Sequence, residues 1–254
     1  APQKVNFPGL RRYGLTDVIE VIAGDQYGNP VKPGTAVYLT TNYGVIEGSI
    51  RTDGQGRGSV NLVSANPLPD DGVALVTART ADKNQQRVAG QTPVVFTGGP
   101  VVTITPGDPA LDQWYHMTVT DPNGNPLVEG TTITVNVEGT KVKAVGHTDV
   151  QLDDTVFQGG YTYDDIVRGS GITELDFKAV EDPDINEEGT PTVETITVRV
   201  DGGNGDLTVV LGKAQPQSVV SPTDGATVQQ LPSGKVKVTA PQKPVKEAEI
   251  PEIR

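Results

Sequence analysis

The residues whose types and spacing best suit chemistry lie in one acidic run, Glu181-Asp182-Pro183-Asp184-Ile185-Asn186-Glu187-Glu188-Gly189. Asp182, Asp184 and Asn186 alternate, so a curled loop would converge their oxygens, with Glu188 closing the shell. Hard oxygen ligands at that spacing suit Ca²⁺ rather than a transition metal. Helical calcium loops carry Gly at the sixth position, where this run has Glu187. The expectation is a Ca²⁺ site at Asp182, Asp184, Asn186 and Glu188. A second run, Asp121-x-Asn123-x-Asn125, has the same spacing but Pro126 at its sixth position, and it reads as a turn.

Aromatic side chains offer a different chemistry, stacking on a ligand. Tyr161 and Tyr163 share one strand face beside Gly159-Gly160 and are the expected ligand-binding pair. Trp114 is a candidate sugar-stacking platform, but the sole Trp of a sandwich is expected in the core. Catalysis finds few parts. His116 and His147 fall on predicted strands, as outward or rim residues. The chain has no Cys, no G-x-S-x-G elbow and no H-E-x-x-H, so acyl transfer and zinc hydrolysis lack their nucleophile and ligands. The expectation is a protein that is not an enzyme.

What must position these residues is legible in a repeat. Asp25-Gln26-Tyr27-Gly28-Asn29-Pro30-Val31 returns ninety-six residues later as Asp121-Pro122-Asn123-Gly124-Asn125-Pro126-Leu127. Gly34-Thr35 is answered by Gly130-Thr131, Val37 by Ile133, Leu39 by Val135, and Thr52-Asp53 by Thr148-Asp149. A constant offset across this span implies a duplicated domain of about a hundred residues. Each D-x-x-G-N-P stretch reverses the chain: Gly takes positive φ, Pro fixes φ, and Asp accepts hydrogen bonds from the N–H groups of its own turn.

Period-2 alternation runs on both sides of these turns. In the first copy, strands are expected at 16–23, 35–41, 45–51, 58–63, 73–80 and 92–97, with a short one around 4–7. In the second they fall at 101–105, 113–120, 131–137, 141–148, 172–180, 192–200 and 207–211, with Tyr115, Met117 and Val119 in phase. The predicted fold class is all-β, tandem immunoglobulin-like sandwiches with an extended Pro-rich C-terminal tail. The expected domains are 1–98, an acidic 99–212 with an insert at 149–171, and the tail 213–254.

Charge divides the same way. Lys and Arg number nine against eight Asp and Glu in 1–98, five against twenty in 99–212, and six against four in 213–254. The fifteen uncompensated negative charges of the middle segment invite a cation or a basic partner, and serve solubility otherwise. No segment is strongly basic, so nucleic acid is disfavoured and no nucleic-acid partner is expected. No apolar run reaches the length of a membrane span. The start at Ala1-Pro2 fits signal-peptide removal, excision of an initiator Met, or cutting from a longer chain.

The stretches D-x-x-G-N-P-V-x-x-G-T-x-V and T-D-G-x-G, followed by the Val-rich 73–80, resemble bacterial Ig-like domains of the invasin and intimin type. The resemblance covers about 15–97 well and 101–200 less well, since Thr148-Asp149-Val150-Gln151 has lost the Gly-rich half of its motif. It implies a non-catalytic stalk, spacer, surface fibre or adhesive module outside the cell or on a virion. The partners so implied are other copies, neighbouring surface-protein domains, or a glycan or host-surface ligand. An accessory role beside a secreted enzyme is a further reading.

The tail carries six prolines in 42 residues, and only 234–239 alternates like a strand. One reading is a connector. The other is an arm that lends Val236 and Val238 to a neighbouring copy as an assembly strand, with Lys235 and Lys237 outward.

Overall fold

The computed structural model describes residues 1–81, 86–105, 108–157, 166–167, 174–186, 188–212, 219–221 and 223–241. Among them there is no helix. The chain forms two compact units. The first draws on the described residues of Ala1–Thr97 and Thr155–Val167, the second on those of Gly98–Asp154 and Arg168–Lys243. Tyr161 and Tyr163 lie outside the described residues.

In the first unit, β1 (Asn6–Phe7), β3 (Ala36–Thr41), β5 (Ser49–Arg51), β7 (Val73–Ala81) and β8 (Arg87–Phe96) make one sheet, ordered β1-β8-β7-β3-β5. β2 (Thr16–Ile22), β6 (Arg57–Val63) and β4 (Val45–Ile46) make the facing one, ordered β2-β6-β4. The alternation is realised side chain by side chain. Ile19, Val37, Leu39, Val60, Leu62 and Val76 turn inward and are almost fully buried. Phe7 and Phe96 close the core edge to face, 4.6 Å apart.

The N-terminal residues serve both sheets of this unit. Gln3 donates its N–H to Val18 O and Glu20 donates to Ala1 O, while β1 pairs with β8 in parallel. Asn6 is fully buried on the way, bonded to Thr97 and Thr155. The short strand expected around 4–7 is therefore present, at Asn6–Phe7. Two more short strands, β14 (Val156–Phe157) and β15 (Ile166–Val167), pair antiparallel.

The second unit is the larger sandwich. One sheet has six strands, ordered β12-β16-β10-β9-β21-β20: β12 (Val142–Gly146), β16 (Glu174–Glu181), β10 (Trp114–Thr120), β9 (Val101–Ile104), β21 (Val236–Thr239) and β20 (Thr227–Gln230). The other is ordered β13-β11-β17-β18-β19: β13 (Asp149–Gln151), β11 (Thr132–Thr140), β17 (Thr192–Asp201), β18 (Leu207–Gly212) and β19 (Val219–Val220). Tyr115, Met117 and Val119 point into a core shared with Ile133, Phe177, Ile196 and Leu211. Tyr115 and Phe177 stack at 5.2 Å.

The tail is used at home. β21 pairs antiparallel with β9, Val236 opposite Ile104 and Val238 opposite Val102, and both valines belong to this unit's core. Val236 and Val238, read from sequence as an assembly strand for a neighbouring copy, are instead a strand of their own sandwich. The physical reason is that β9 offers an unpaired edge next to an apolar core, and the connection from β18 is long enough to reach it.

Candidate functional site

Both copies of the repeated turn are structural, and they differ in setting. Asp25 Oδ1 accepts the N–H groups of Tyr27 and Asn29, each at 2.9 Å, and Asp121 Oδ1 those of Asn123 and Asn125, each at 2.8 Å. Gly28 and Gly124 take φ of 82° and 83°. Asp25 is open to water, and its hydrogen bonds, led by the one from the Asn29 side chain, hold its carboxyl below the usual range. Asp121 is 1 % exposed. Burial pushes its carboxyl up, against hydrogen bonds of which the one from Gly98 N–H is the largest. Thr52-Asp53 builds a third such turn, with Asp53 Oδ1 accepting from Gln55 and Arg57 N–H at 2.8 Å. Its counterpart Asp149 stands on β13 instead, where the Gly-rich half of the motif is missing.

The acidic run is organised around a lysine. Lys143 Nζ lies 3.0 Å from Asp182 Oδ1 and 3.9 Å from Asp184 Oδ2. Asp182 also accepts the Asp184 N–H at 3.2 Å, and its carboxyl is held below the ordinary value, first by Lys143. Asp182 and Asp184 thus come together, but on an ammonium group from β12. Asn186 and Glu188 are exposed. Among the described residues, no three His, Asp or Glu side chains stand in metal-holding geometry.

A more coherent cluster lies on the outer face of the second unit's six-stranded sheet. Period 2 sends Tyr115, Met117 and Val119 inward, so Trp114, His116 and Thr118 point out. On β16 the same rule turns Glu174, Asp176 and Lys178 outward, and the register sets Trp114 opposite Lys178 and His116 opposite Asp176. Trp114 is 52 % exposed, which corrects its expected place in the core. The correction was available in the alternation itself, because a residue next to inward Tyr115 must face out.

The polar groups of this face pair with one another. Lys178 Nζ sits 5.5 Å from the Trp114 ring centroid and 3.0 Å from Asp112 Oδ1. A cation over an exposed indole contributes about 0.5–1 kcal/mol. Asp112 holds its position with a φ of 58°. His116 Nδ1 meets Asp176 Oδ1 at 2.5 Å, and since a carboxylate can only accept, that nitrogen is the donor. His147 Nδ1 accepts the Asp176 backbone N–H at 3.0 Å, which fixes its tautomer with the proton on Nε2. An indole is thereby flanked by an amine, two carboxylates and two imidazoles on an open face. Such a row can stack on an apolar ligand face and exchange hydrogen bonds around it. Asp176 and Lys178 did not stand out in the sequence, because cross-strand register alone brings them opposite His116 and Trp114, while Asp112, two residues before Trp114, joins them through its ion pair with Lys178.

No family model matches the chain, and no curated protein matches it. Among solved structures it is similar to the D0-D1 domain of intimin, at 15 % identity over 78 % of this chain and 87 % of that one, with a TM-score of 0.33. It is also similar to the Yersinia pseudotuberculosis adhesin InvE, at 14 % identity over 89 % of this chain and 63 % of that one, with a TM-score of 0.32. The chain thus spans less than two thirds of the adhesin. The sandwich architecture rests on the chain's own sheets and cores.

Proposed function

We propose that this chain is a non-catalytic extracellular module, a tandem Ig-like spacer of a bacterial surface that presents an adhesive face on its second sandwich. The observation that carries the reading is Trp114. A half-exposed indole on a sheet face, ringed by Lys178, Asp112, His116 and Asp176, has the composition of a shallow carbohydrate-binding surface. Two sandwiches whose strands come from their own chain suit a spacer, which must hold its fold as a single chain.

Binding to a flat face of this size is weak per site and gains strength through many copies on one surface. The test is a glycan array read with the clustered, full-length chain. Wild type should bind a set of neutral glycans, and Trp114→Ala should lose at least about tenfold in affinity, since one stacked aromatic contributes roughly 0.5–1.5 kcal/mol per site and clustering multiplies it. The melting temperature should fall by only a few degrees, because Trp114 is outside the core and its loss removes mainly the Lys178 contact. Equal binding by wild type and Trp114→Ala would remove the adhesive face and leave the spacer. That spacer reading has its own check: protease accessibility of the chain on intact cells.

A further inference from the structure

The tail hairpin leaves an unusual edge. Among the described residues, the other strands at sheet edges are short, charged or covered. β1, β4, β14, β15 and β19 have two residues each. β5 ends on Arg51, β13 begins on Asp149 and β12 carries Lys143. The edge of β2 is covered by backbone bonds from Ala1 and Gln3. These are the devices by which proteins blunt open edges. β20 has none of them. Thr227-Val228-Gln229-Gln230 is four residues long, uncharged, free of proline, and exposed at every position.

Which backbone groups are free follows from the hairpin. Leu231 donates its N–H to Lys235 O at 2.8 Å. Alternation along an antiparallel pair then turns Gln229 and Thr227 toward β21, and points the N–H and C=O of Val228 and Gln230 to the open edge. Val228 stands opposite Val238 and shares its face. Yet Val238 is 0 % exposed and Val228 is 40 % exposed, so the cover of the core stops at β21. Among the described residues, the strand overhangs its sandwich with both an unpaired edge and an apolar side chain in the open.

We propose that β20 is a pairing edge for a second copy of this chain, two β20 strands running antiparallel about a two-fold axis. Setting Val228 opposite Val228 of the second copy makes both N–H···O bonds of a hydrogen-bonded pair, and places Thr227 opposite Gln229 on either side. That register is self-complementary and brings the two exposed valines together. Charge favours this surface over others for self-contact. The chain carries −12 overall, so most faces of two copies repel, whereas β20 is neutral and its neighbour β21 carries Lys237. A four-residue edge buries less than the roughly 1,200–2,000 Å² of a stable interface, so the dimer is a transient one at about 0.1–1 mM. It goes beyond the adhesive reading, although copies crowded on one surface would use it to array their Trp114 faces.

Sedimentation velocity of the full chain over a concentration series tests it. The dimer fraction should rise with concentration in wild type and in Trp114→Ala. It should vanish in Val228→Pro, which removes an edge N–H, and in Val228→Lys, which sets like charges together at the axis. Because β20 is exposed throughout, Val228→Lys should keep the wild-type melting temperature even where the proline variant loses stability. A chain that stays monomeric at about 1 mM overturns the proposal, and so does a dimer that survives Val228→Lys.

Discussion

Asp25 and Asp121 do the same work in the same turn, and their surroundings decide what each contributes. Removing the Asp25 carboxylate leaves its N–H donors in water, which replaces the lost bonds. Removing that of Asp121 leaves the N–H groups of Gly98, Asn123 and Asn125 without their shared acceptor in a buried site. Asp121→Ala should therefore cost the second sandwich about 1–3 kcal/mol, and Asp25→Ala far less in the first, measured by urea unfolding. Acid should act on them with opposite sign. Asp25 and Asp53 have folded values below their ordinary 3.8, so the stability they contribute is present above that value and is lost as pH falls through the lower one. Asp121 has a raised folded value, so its contribution is present below 3.8 and is lost as pH rises through the raised one. In thermal scans below pH 3.8, the first transition should fall faster in wild type than in Asp25→Ala/Asp53→Ala. Parallel curves would show that these turns do not set the acid limit.

At the scale of elements, the tail decides the stability of the second sandwich. β9 sits between β10 and β21, and Val238 is fully buried against the core. Val238→Ala should destabilise this unit by about 1.5–3 kcal/mol, the worth of a fully buried valine. Ending the chain after residue 220 removes β20 and β21 while keeping β19, strips the β9 edge, and should lower the second transition while sparing the first. If calorimetry finds the second transition unmoved by that truncation, the cis pairing of β21 is wrong. The bulge between Glu138 and Gly139 gives a second check on register. A Cβ at Gly139 would stand 2.0 Å from Thr192 O, so Gly139→Ala should cost on the order of 1–3 kcal/mol for the backbone shift it forces.

The whole molecule is electrostatically lopsided, with five basic against twenty acidic residues in 99–212. Self-repulsion of this size destabilises the compact state and is screened over a Debye length of about 8 Å at physiological salt. The second melting transition should therefore rise with NaCl and the first should hardly respond. Ca²⁺ separates screening from a bound ion. With Lys143 already between Asp182 and Asp184, Ca²⁺ should raise the second transition no more than NaCl of equal ionic strength. A larger rise, reversed by a chelator, would mean that the ion displaces Lys143 and binds with Asn186 and Glu188.

The sequence alone determined the class of fold, because a period of 2 and a 96-residue repeat of turn residues are local properties that any sandwich must satisfy. The same alternation carries the outward place of Trp114 through inward Tyr115, although the expectation of a core Trp ran against it. It did not determine which strands meet. That Lys143 reaches Asp182, that Asp176 falls between His116 and His147, and that a Pro-rich tail completes the sheet beside β9 depend on residues far apart in the chain. Those pairings are chosen by where an unpaired edge and an unfilled core coincide, and only the assembled sheets possess either.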